Sequence, residues 1–230
     1  LARTLAINNK NMNYTSKNTL LIFFLFIFCS TSFAGKTDYQ KIFFEILDIN
    51  NTNVAVSFWD QREQVTKKGQ EATWTGYFRS LTGIPYPSYC KSKKDLSDVL
   101  NEKIGESFAL NNPTCVSVKS SFKDDKEQIL KKLMETSKER LVIIKMNRYN
   151  FDGIAGYAFH IDVELLIYSG TGELIGSSTL LHEVKKKRND MPAAFKEVTE
   201  NIFERDEFKS LFTIPLLAKC DIIETKNNEK

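Results

Sequence analysis

The sequence predicts an α/β (α+β) protein, a single domain in which a mixed β-sheet packs against three helices. Short β-branched and aromatic runs alternate with longer segments whose apolar residues recur at helical spacing, in the order β-α-β-α-β-β-β-α. Orders of this kind are typical of sheets covered by helices. No internal repeat and no Gly/Ser- or Pro-rich linker divides residues 35–230, whose length suits one domain of ~100–200 residues.

The first half of that order contains two strands and two helices. Residues 54–59 are β-branched and aromatic, which predicts the first strand, and residues 60–94 are expected to form a long polar and aromatic loop. Apolar residues at helical spacing predict the first helix over 95–110, which an Asn-Asn-Pro sequence ends. A short strand is expected at 114–119. The second helix is expected over 124–138, with acidic residues at its beginning, where the helix dipole favours them.

The second half contains the clearest β region. Residues 141–146 are almost continuously apolar, as in a central strand covered on both faces. Residues 157–168 alternate apolar and polar side chains, and after a hairpin turn at 169–172 the chain is expected to return over 173–183. The third helix is expected over 192–208, because proline suits a first helical turn.

Three further segments connect or follow these elements. Residues 151–156 are expected to connect two strands. The basic run 185–188 is expected to form a solvated turn, although it could also touch anionic phospholipid head groups. Residues 212–217 are expected to add an edge strand or a strap before a polar end.

Residues 1–34 are interpreted as a leader with a secretory (Sec) signal peptide. Lys17 precedes nine apolar residues at 20–28, and the small residues that follow favour cleavage after Ala34. A membrane-spanning helix needs ~20 apolar residues, so cleavage is favoured over a membrane anchor. Met12 is an alternative start of translation. The body of the protein is therefore expected in the periplasm or otherwise outside the cytoplasm.

The cysteines raise two further questions. A lipid on Cys29 would anchor the protein to the membrane, but the bulky Phe28 stands where lipoprotein processing sites carry a small residue. In an oxidising compartment, one disulfide and one free thiol are expected among Cys90, Cys115 and Cys220. Spacing leaves all three pairings open, the Cys90–Cys115 pair among them. No CxxC is present, so neither a zinc knuckle nor a thioredoxin-type site is supported.

The charge balance argues against several classes of protein. The chain has 32 basic and 29 acidic residues, and the leader contains three basic residues and no acidic one, so residues 35–230 carry 29 of each sign. A neutral body gives no electrostatic case for binding nucleic acid or coating an anionic bilayer. With 42% hydrophobic and 27% charged residues, the chain is not of the disordered class.

Several segments resemble the YajG-like envelope lipoproteins. They are VAVSFWDQR at 54–62, TGYFRS at 75–80, the amphipathic helix from Leu96, and a hairpin with IDVEL at 161–165 and GELI at 172–175. The resemblance implies a small periplasm-facing domain, related to envelope accessory proteins, with no established catalytic activity.

The aromatic loop is the main candidate for a binding surface. Five aromatic residues, one arginine and two prolines lie within sixteen residues, and aromatic residues and arginine are enriched in interface hot spots. The alternative is that the loop folds back and packs its rings on the sheet. Complete burial of Trp74, Tyr77 and Tyr86 would exclude the contact role. The candidate contact residues are Trp74, Tyr77, Phe78, Arg79, Tyr86 and Tyr89.

Two polar groups are further candidates. Asp60 and Arg62 follow the first strand, where α/β sheets tend to bind ligands, although an ion pair that orders the loop exit is the simpler interpretation. His160 and Asp162 alternate along one strand, and His182 lies on the next; these are ligand types for zinc or a harder divalent ion. Whether the histidines face each other depends on the hairpin register. The ordinary interpretation is the solvated face of an antiparallel sheet, so no metal or cofactor is expected.

These observations predict an exported protein of the bacterial envelope that binds a protein partner through residues 60–90 and is not an enzyme. The main alternative is a small periplasmic enzyme, hydrolase-like or metal-assisted, that uses Asp60 or the face of His160, Asp162 and His182. Secretion as a toxin or effector is a third interpretation. An enzyme needs titratable groups that converge in a pocket, whereas a binding module needs exposed aromatic residues.

Overall fold

The computed structural model describes residues 36–39, 42–45, 53–111, 113–154, 156–187, 191–206 and 209. In these residues eight strands form one mixed sheet with four helices, which confirms the predicted single-domain α+β class. The strands are β1 (Lys36–Thr37), β2 (Val54–Asp60), β3 (Trp74–Arg79), β4 (Pro85–Cys90), β5 (Val116–Ser117), β6 (Arg140–Gly153), β7 (Gly156–Ser169) and β8 (Leu174–Lys187). The helices are α1 (Glu63–Thr66), α2 (Leu96–Asn111), α3 (Lys126–Met134) and α4 (Met191–Glu204).

The sheet is built around the long strand β6. Along one side, β6 pairs antiparallel with β7, and β7 pairs antiparallel with β8. Each of these strands has 14 residues. Antiparallel neighbours can be joined by tight turns, so the three strands form a continuous meander.

The other side of β6 is shared by two strands that lie end to end. Residues 54–60 of β2 run parallel to residues 140–146 of β6. Residues 76–78 of β3 also run parallel to β6, but pair further along, with residues 151–153. The chain therefore leaves this row after β2, passes through α1, and returns to the same row as β3. Outside the row, β5 flanks β2, while β4 and then β1 flank β3.

Helices pack on both faces of this sheet. Helices α2 and α4 cover one face, where apolar residues of β2, β6 and β7 form the larger core. Helix α3 covers part of the opposite face, with Ile129 and Leu133 against Leu141 and Ile143. The burial pattern of β7 shows that α3 covers only part of the second face. Residues 165–169 are buried at every position, whereas residues 157–164 are buried only at alternate positions. The second face is thus left to polar side chains beyond α3.

The three predicted helices correspond to α2, α3 and α4. The beginning of α3 shows why the sequence predicted it well. The Asp125 carboxylate accepts a hydrogen bond from the Gln128 backbone N–H at 2.7 Å, and the Gln128 side chain accepts one from the Asp125 N–H at 2.9 Å. This capping box satisfies two backbone donors at the helix start.

The predictions for the connecting segments were wrong in three places. Residues 60–94 are not a long loop, since they contain α1 and the β3–β4 hairpin. Residues 151–156 belong mostly to β6 and β7, and the basic residues 185–187 extend β8 instead of forming a turn. Pro85 and Pro87 obscured the hairpin, because proline argues against a strand unless it lies where a ladder hydrogen bond is not needed.

Several predictions fall on residues outside the described ranges. These are the signal peptide and its cleavage after Ala34, the lipid site at Cys29, the pairing of Cys220, and the segment 212–217. Among the described residues, no helix has the length and apolar character needed to span a bilayer.

Gly76 is where β3 approaches β6 most closely, and it allows a direct test of the shared row. A Cβ on Gly76 would lie 2.2 Å from the Phe151 carbonyl oxygen, and its φ is +148°. We expect Gly76→Ala to lower the free energy of unfolding by about 3 kcal/mol or more, because strain and a backbone clash add. Urea unfolding followed by circular dichroism measures this change.

Gly69→Ala is the matched control. Gly69 also has a positive φ, +72°, but a Cβ there meets nothing within 4 Å. It should cost only the left-handed backbone strain, roughly 1 kcal/mol. Equal effects of the two substitutions would show that β3 does not depend on this close approach.

Candidate functional site

The Asp60–Arg62 pair lies in the break between β2 and β3. Arg62 Nη2 lies 2.7 Å from Asp60 Oδ2, and Arg62 Nε donates to Asp60 Oδ1 at 2.8 Å. Both side chains are fully buried. This is a bidentate ion pair, the geometry in which arginine and a carboxylate interact most strongly.

The guanidinium of Arg62 also satisfies backbone carbonyls around the break. It donates to the carbonyl oxygens of Trp74 at 2.6 Å, Ala72 at 3.1 Å and Tyr149 at 3.3 Å. Its carbon atom lies 5.6 Å from the centre of the Trp74 ring. The pair therefore joins the end of β2, the start of β3 and the middle of β6, and it has no exposed surface for a ligand. The simpler interpretation, an ion pair that orders the loop exit, describes its geometry.

The aromatic segment is a hairpin in which the predicted contact residues have different environments. Trp74 is fully buried, so it is core and does not belong to a contact surface. Tyr77, Phe78, Arg79, Tyr86 and Tyr89 are half-buried. Phe78 turns toward the larger core, with its ring centre 5.0 Å from that of Phe151. The burial that would have excluded a contact role thus applies to Trp74 and not to Tyr77 or Tyr86.

Arg79 connects the hairpin to the end of β6 through an ion pair. Its Nε and Nη2 donate to the two carboxylate oxygens of Asp152, each at 2.6 Å, and its Nη1 donates to the Gly83 carbonyl at 3.2 Å. The two side chains are about one-third exposed. This pair links the hairpin turn to the neighbouring strand, and it explains how the end of the hairpin keeps one position on the sheet.

The end of the hairpin presents apolar side chains that the sequence analysis did not select. Leu81 is 95% exposed and Ile84 is 54% exposed. The turn between them is closed by hydrogen bonds from Ser80 N to Ile84 O and from Gly83 N to Ser80 O, both 2.9 Å. No charged residue occurs from 80 to 90. In the sequence, the available signal for this exposed apolar turn was a pair of aliphatic residues that flank Thr-Gly in an uncharged stretch.

The predicted histidine face is not formed. In the β7–β8 register His160 lies opposite Glu183, while His182 lies opposite Ile161. Cross-strand partners share a face, so the two histidines point to opposite faces of the sheet. His160 Nδ1 lies 3.3 Å from Glu183 Oε2, and His182 Nε2 lies 3.1 Å from the Asn201 side-chain nitrogen on α4.

Asp162 joins neither histidine in a shared site. Its Oδ1 accepts a hydrogen bond from the Asn147 side chain at 3.4 Å. Burial, together with the positive charge of Arg148, lowers the pKa of His160, and Glu183 opposes that shift. Among the described residues no three His, Cys, Asp or Glu side chains are grouped to hold a metal. Among the described residues, His160, Asp162 and His182 therefore do not converge on one site.

Cys90 and Cys115 are both buried and are not joined to each other, so the structure does not form the disulfide between them that the sequence allowed. Cys115 precedes the first pairing of β5 with β2, near the start of β6, whereas Cys90 lies beside Thr73 at the start of β3. Their separation along β6 is about eight residues, roughly 25 Å. A disulfide needs Cα atoms about 4–7 Å apart.

Comparison with known proteins gives only distant similarities. No family model and no curated protein sequence matches the chain. A solved structure of protein XCC0632 from Xanthomonas campestris, described with the family label DUF330, matches with a TM-score of 0.43 and 12% identity, over 70% of this chain and 84% of that one.

Two further solved structures are similar at a lower level. Lipoprotein GNA1162 from Neisseria meningitidis matches with a TM-score of 0.28 and 10% identity, over 65% of this chain and 93% of that one. The LpoB C-terminal domain from Salmonella enterica matches with a TM-score of 0.26 and 9% identity, over 59% and 86%. Similarity this distant establishes neither family nor activity, and the YajG-like resemblance is not confirmed by it.

The buried pair yields a prediction about stability. Arg62→Met should lower the free energy of unfolding by about 3–5 kcal/mol, because it leaves the Asp60 carboxylate buried without its partner. The double variant Asp60→Leu/Arg62→Met should cost less than the two single changes together, because it removes both charges.

The exposed pair Lys68–Glu63 is the control for this cycle. Lys68→Met should change the free energy of unfolding by less than about 1 kcal/mol. If Arg62→Met lowered the free energy of unfolding by no more than Lys68→Met in chemical denaturation, the buried pair would not stabilise the sheet at the break between β2 and β3.

Cys90 yields a prediction about alkaline pH. Burial raises the pKa of its thiol from 9.0 to about 12, and burial also raises the pKa of Tyr149. Above pH 9 the unfolded chain releases the thiol proton while the folded protein keeps it, so stability should fall as pH rises from about 9 to 12. Cys90→Ala should reduce that slope by up to about 1.4 kcal/mol per pH unit.

Val56→Ala serves as the control, since Val56 is buried and does not titrate. It should lower the whole curve of unfolding free energy against pH without changing its slope. Equal slopes for Cys90→Ala and the parent protein would contradict the assignment.

Proposed function

We propose that this protein is a non-catalytic binding module of the bacterial cell envelope, and that the end of the β3–β4 hairpin is its contact surface. The envelope location rests on the predicted signal peptide. The observation that carries the proposal is the pair of exposed aliphatic side chains Leu81 and Ile84 on an ordered hairpin. Exposed apolar groups gain about 25 cal/mol per Å² when a partner covers them.

The hairpin also has the rigidity that a contact surface needs. The Phe78 ring packs against Phe151 and Tyr157, with ring centres 5.0 and 5.7 Å apart. Arg79 binds Asp152 with both carboxylate oxygens. Because these contacts already order the backbone, binding to a partner would not incur the conformational entropy cost of ordering it.

Of the remaining predicted residues, Tyr77 and Tyr89 lie on one face of the hairpin, and Tyr86 lies on the other face with Phe78. Tyr86 is the cross-strand partner of Phe78, and Tyr77 is the partner of Pro87. Gln70 donates a hydrogen bond to the Tyr77 hydroxyl at 3.4 Å, and Tyr89 follows two residues after Pro87 on the same strand. Half-buried tyrosines combine an apolar ring with a polar end, which suits the edge of an interface.

Cysteine labelling in the envelope tests the proposal whatever the partner is. Thr82→Cys places an exposed thiol between Leu81 and Ile84 while both are retained. We expect a membrane-impermeant maleimide to label it rapidly in the purified protein, and at least tenfold more slowly in isolated envelopes. The native Cys90 and Cys115 are buried, and burial raises the pKa of both thiols, so they should react slowly in the folded protein.

Leu110→Cys is the matched control, because Leu110 is 72% exposed and lies at the far end of α2. It should be labelled equally in purified protein and in envelopes, and the unsubstituted protein gives the background. Equal labelling of Thr82→Cys in both preparations would overturn the proposal.

A further inference from the structure

Three parts of the chain that are distant in sequence end at the same edge of the sheet. Strand β3 runs parallel to β6, and Phe78 pairs with Gly153, so the hairpin turn at 80–84 lies beside the β6–β7 turn. Strand β8 runs antiparallel to β7, and Lys187 pairs with Gly156 at that same turn. The edge spans five strands, from β4 to β8, and is thus about 20 Å wide at ~4.8 Å per strand. We call it the hairpin end.

The hairpin end carries exposed aliphatic residues on two separate turns. Leu81 and Ile84 belong to the β3–β4 turn, and Ile154, which is 45% exposed, belongs to the β6–β7 turn. Neither turn contains a charged residue. These exposed side chains project from turns and do not line a groove. Projecting apolar side chains are suited to insertion into a bilayer surface.

The same edge collects basic residues. Residues 185, 186 and 187, all lysines, pair with residues 158, 157 and 156 at the start of β7. The Lys185 side chain is 79% exposed. Of the described residues, the neighbouring carboxylates are those of Glu183, which lies 3.1 Å from Lys185, and Asp152, which binds Arg79. Among the strand positions that the structure describes at this edge, basic residues therefore outnumber acidic ones, although residues 35–230 are neutral as a whole.

Strand β1 runs in the same direction as β4. Lys36 pairs with Tyr89 and Thr37 with Cys90, parallel to β4. Strand β4 begins at Pro85, the partner of Arg79 at the hairpin turn, and runs away from it. Strand β1 therefore also runs away from the hairpin end.

We infer that the hairpin end docks on a bilayer surface that contains anionic phospholipid. This inference rests on the proposed contact surface and names its partner. Leu81, Ile84 and Ile154 would enter the boundary between head groups and acyl chains, where buried apolar area stabilises a peripheral protein. Strand β8 ends at this edge with three consecutive lysine positions, 185–187, and each basic residue near a negative head-group surface adds attraction.

Vesicle flotation of the full processed protein tests the inference. The protein is mixed with vesicles of phosphatidylcholine alone or of equimolar phosphatidylcholine and phosphatidylglycerol. We expect binding to the anionic vesicles, weaker binding to the neutral ones, and a marked loss at high salt, where surface charges are screened. Leu81→Ser/Ile84→Ser and, separately, Lys185→Gln/Lys186→Gln/Lys187→Gln should each weaken binding about tenfold or more.

Matched controls separate the edge from general surface properties. Leu110→Ser removes an exposed leucine elsewhere, and Lys67→Gln/Lys68→Gln/Lys131→Gln removes three exposed lysines elsewhere. Both should bind the anionic vesicles as well as the parent protein. Because every variant retains the same N-terminal processing, a lipid on Cys29 would add equally to all of them.

The outcomes distinguish this inference from the proposed function. If the parent protein fails to bind anionic vesicles, or the control variants lose binding as much as the edge variants, the bilayer inference is overturned. If Thr82→Cys is nevertheless protected in envelopes, the contact surface stands and its partner is a protein. If Thr82→Cys is unprotected, the proposed function itself fails.

Discussion

The fold depends on the Asp60–Arg62 ion pair, because the pair occupies the break between β2 and β3 in the row beside β6. Between β2 and β3 the row beside β6 has no strand, and carbonyl groups there would otherwise be buried without donors. Arg62 supplies donors to three of them and to the Asp60 carboxylate. Removing two charges from water is costly, so such a pair adds little stability by itself. Here its value lies in the carbonyl groups that it satisfies, since each would otherwise carry an unmet desolvation cost.

The position of the hairpin follows from that arrangement. Once β3 re-enters the row, Gly76 allows it to lie close against Phe151, and the Phe78 ring packs between Phe151 and Tyr157. The Arg79–Asp152 pair is partly exposed, and exposed ion pairs contribute about 0–1 kcal/mol. Ring packing and the close backbone approach therefore hold the hairpin, and the ion pair sets the orientation of its turn. The exposed Leu81 and Ile84 are thus attached to the core through ordered structure.

Charge distribution matters more than net charge for this protein. The sequence totals argued against attraction to an anionic surface, because residues 35–230 carry equal numbers of acidic and basic residues. Attraction to a charged surface depends on residues within about a Debye length of it, roughly 8–10 Å, and not on the whole chain. The sheet register gathers the lysine positions 185–187 beside uncharged turns. A neutral protein can in this way present one basic and apolar edge.

Local pattern determined most of the secondary structure of this chain. Helices α2, α3 and α4 and strands β2, β7 and β8 follow from apolar periodicity, capping residues and a Gly-rich turn, all of which act within a few residues. The sequence also indicated that the 60–90 region was unusual, although Trp74 is core and the exposed Leu81 and Ile84 were not selected. Only the tertiary structure decided that β2 and β3 share one row, that His160 and His182 face apart, and that three distant segments meet at one edge. Those features depend on strand register and on pairing between distant residues, such as Val54 with Arg140, and no short stretch of sequence contains that information.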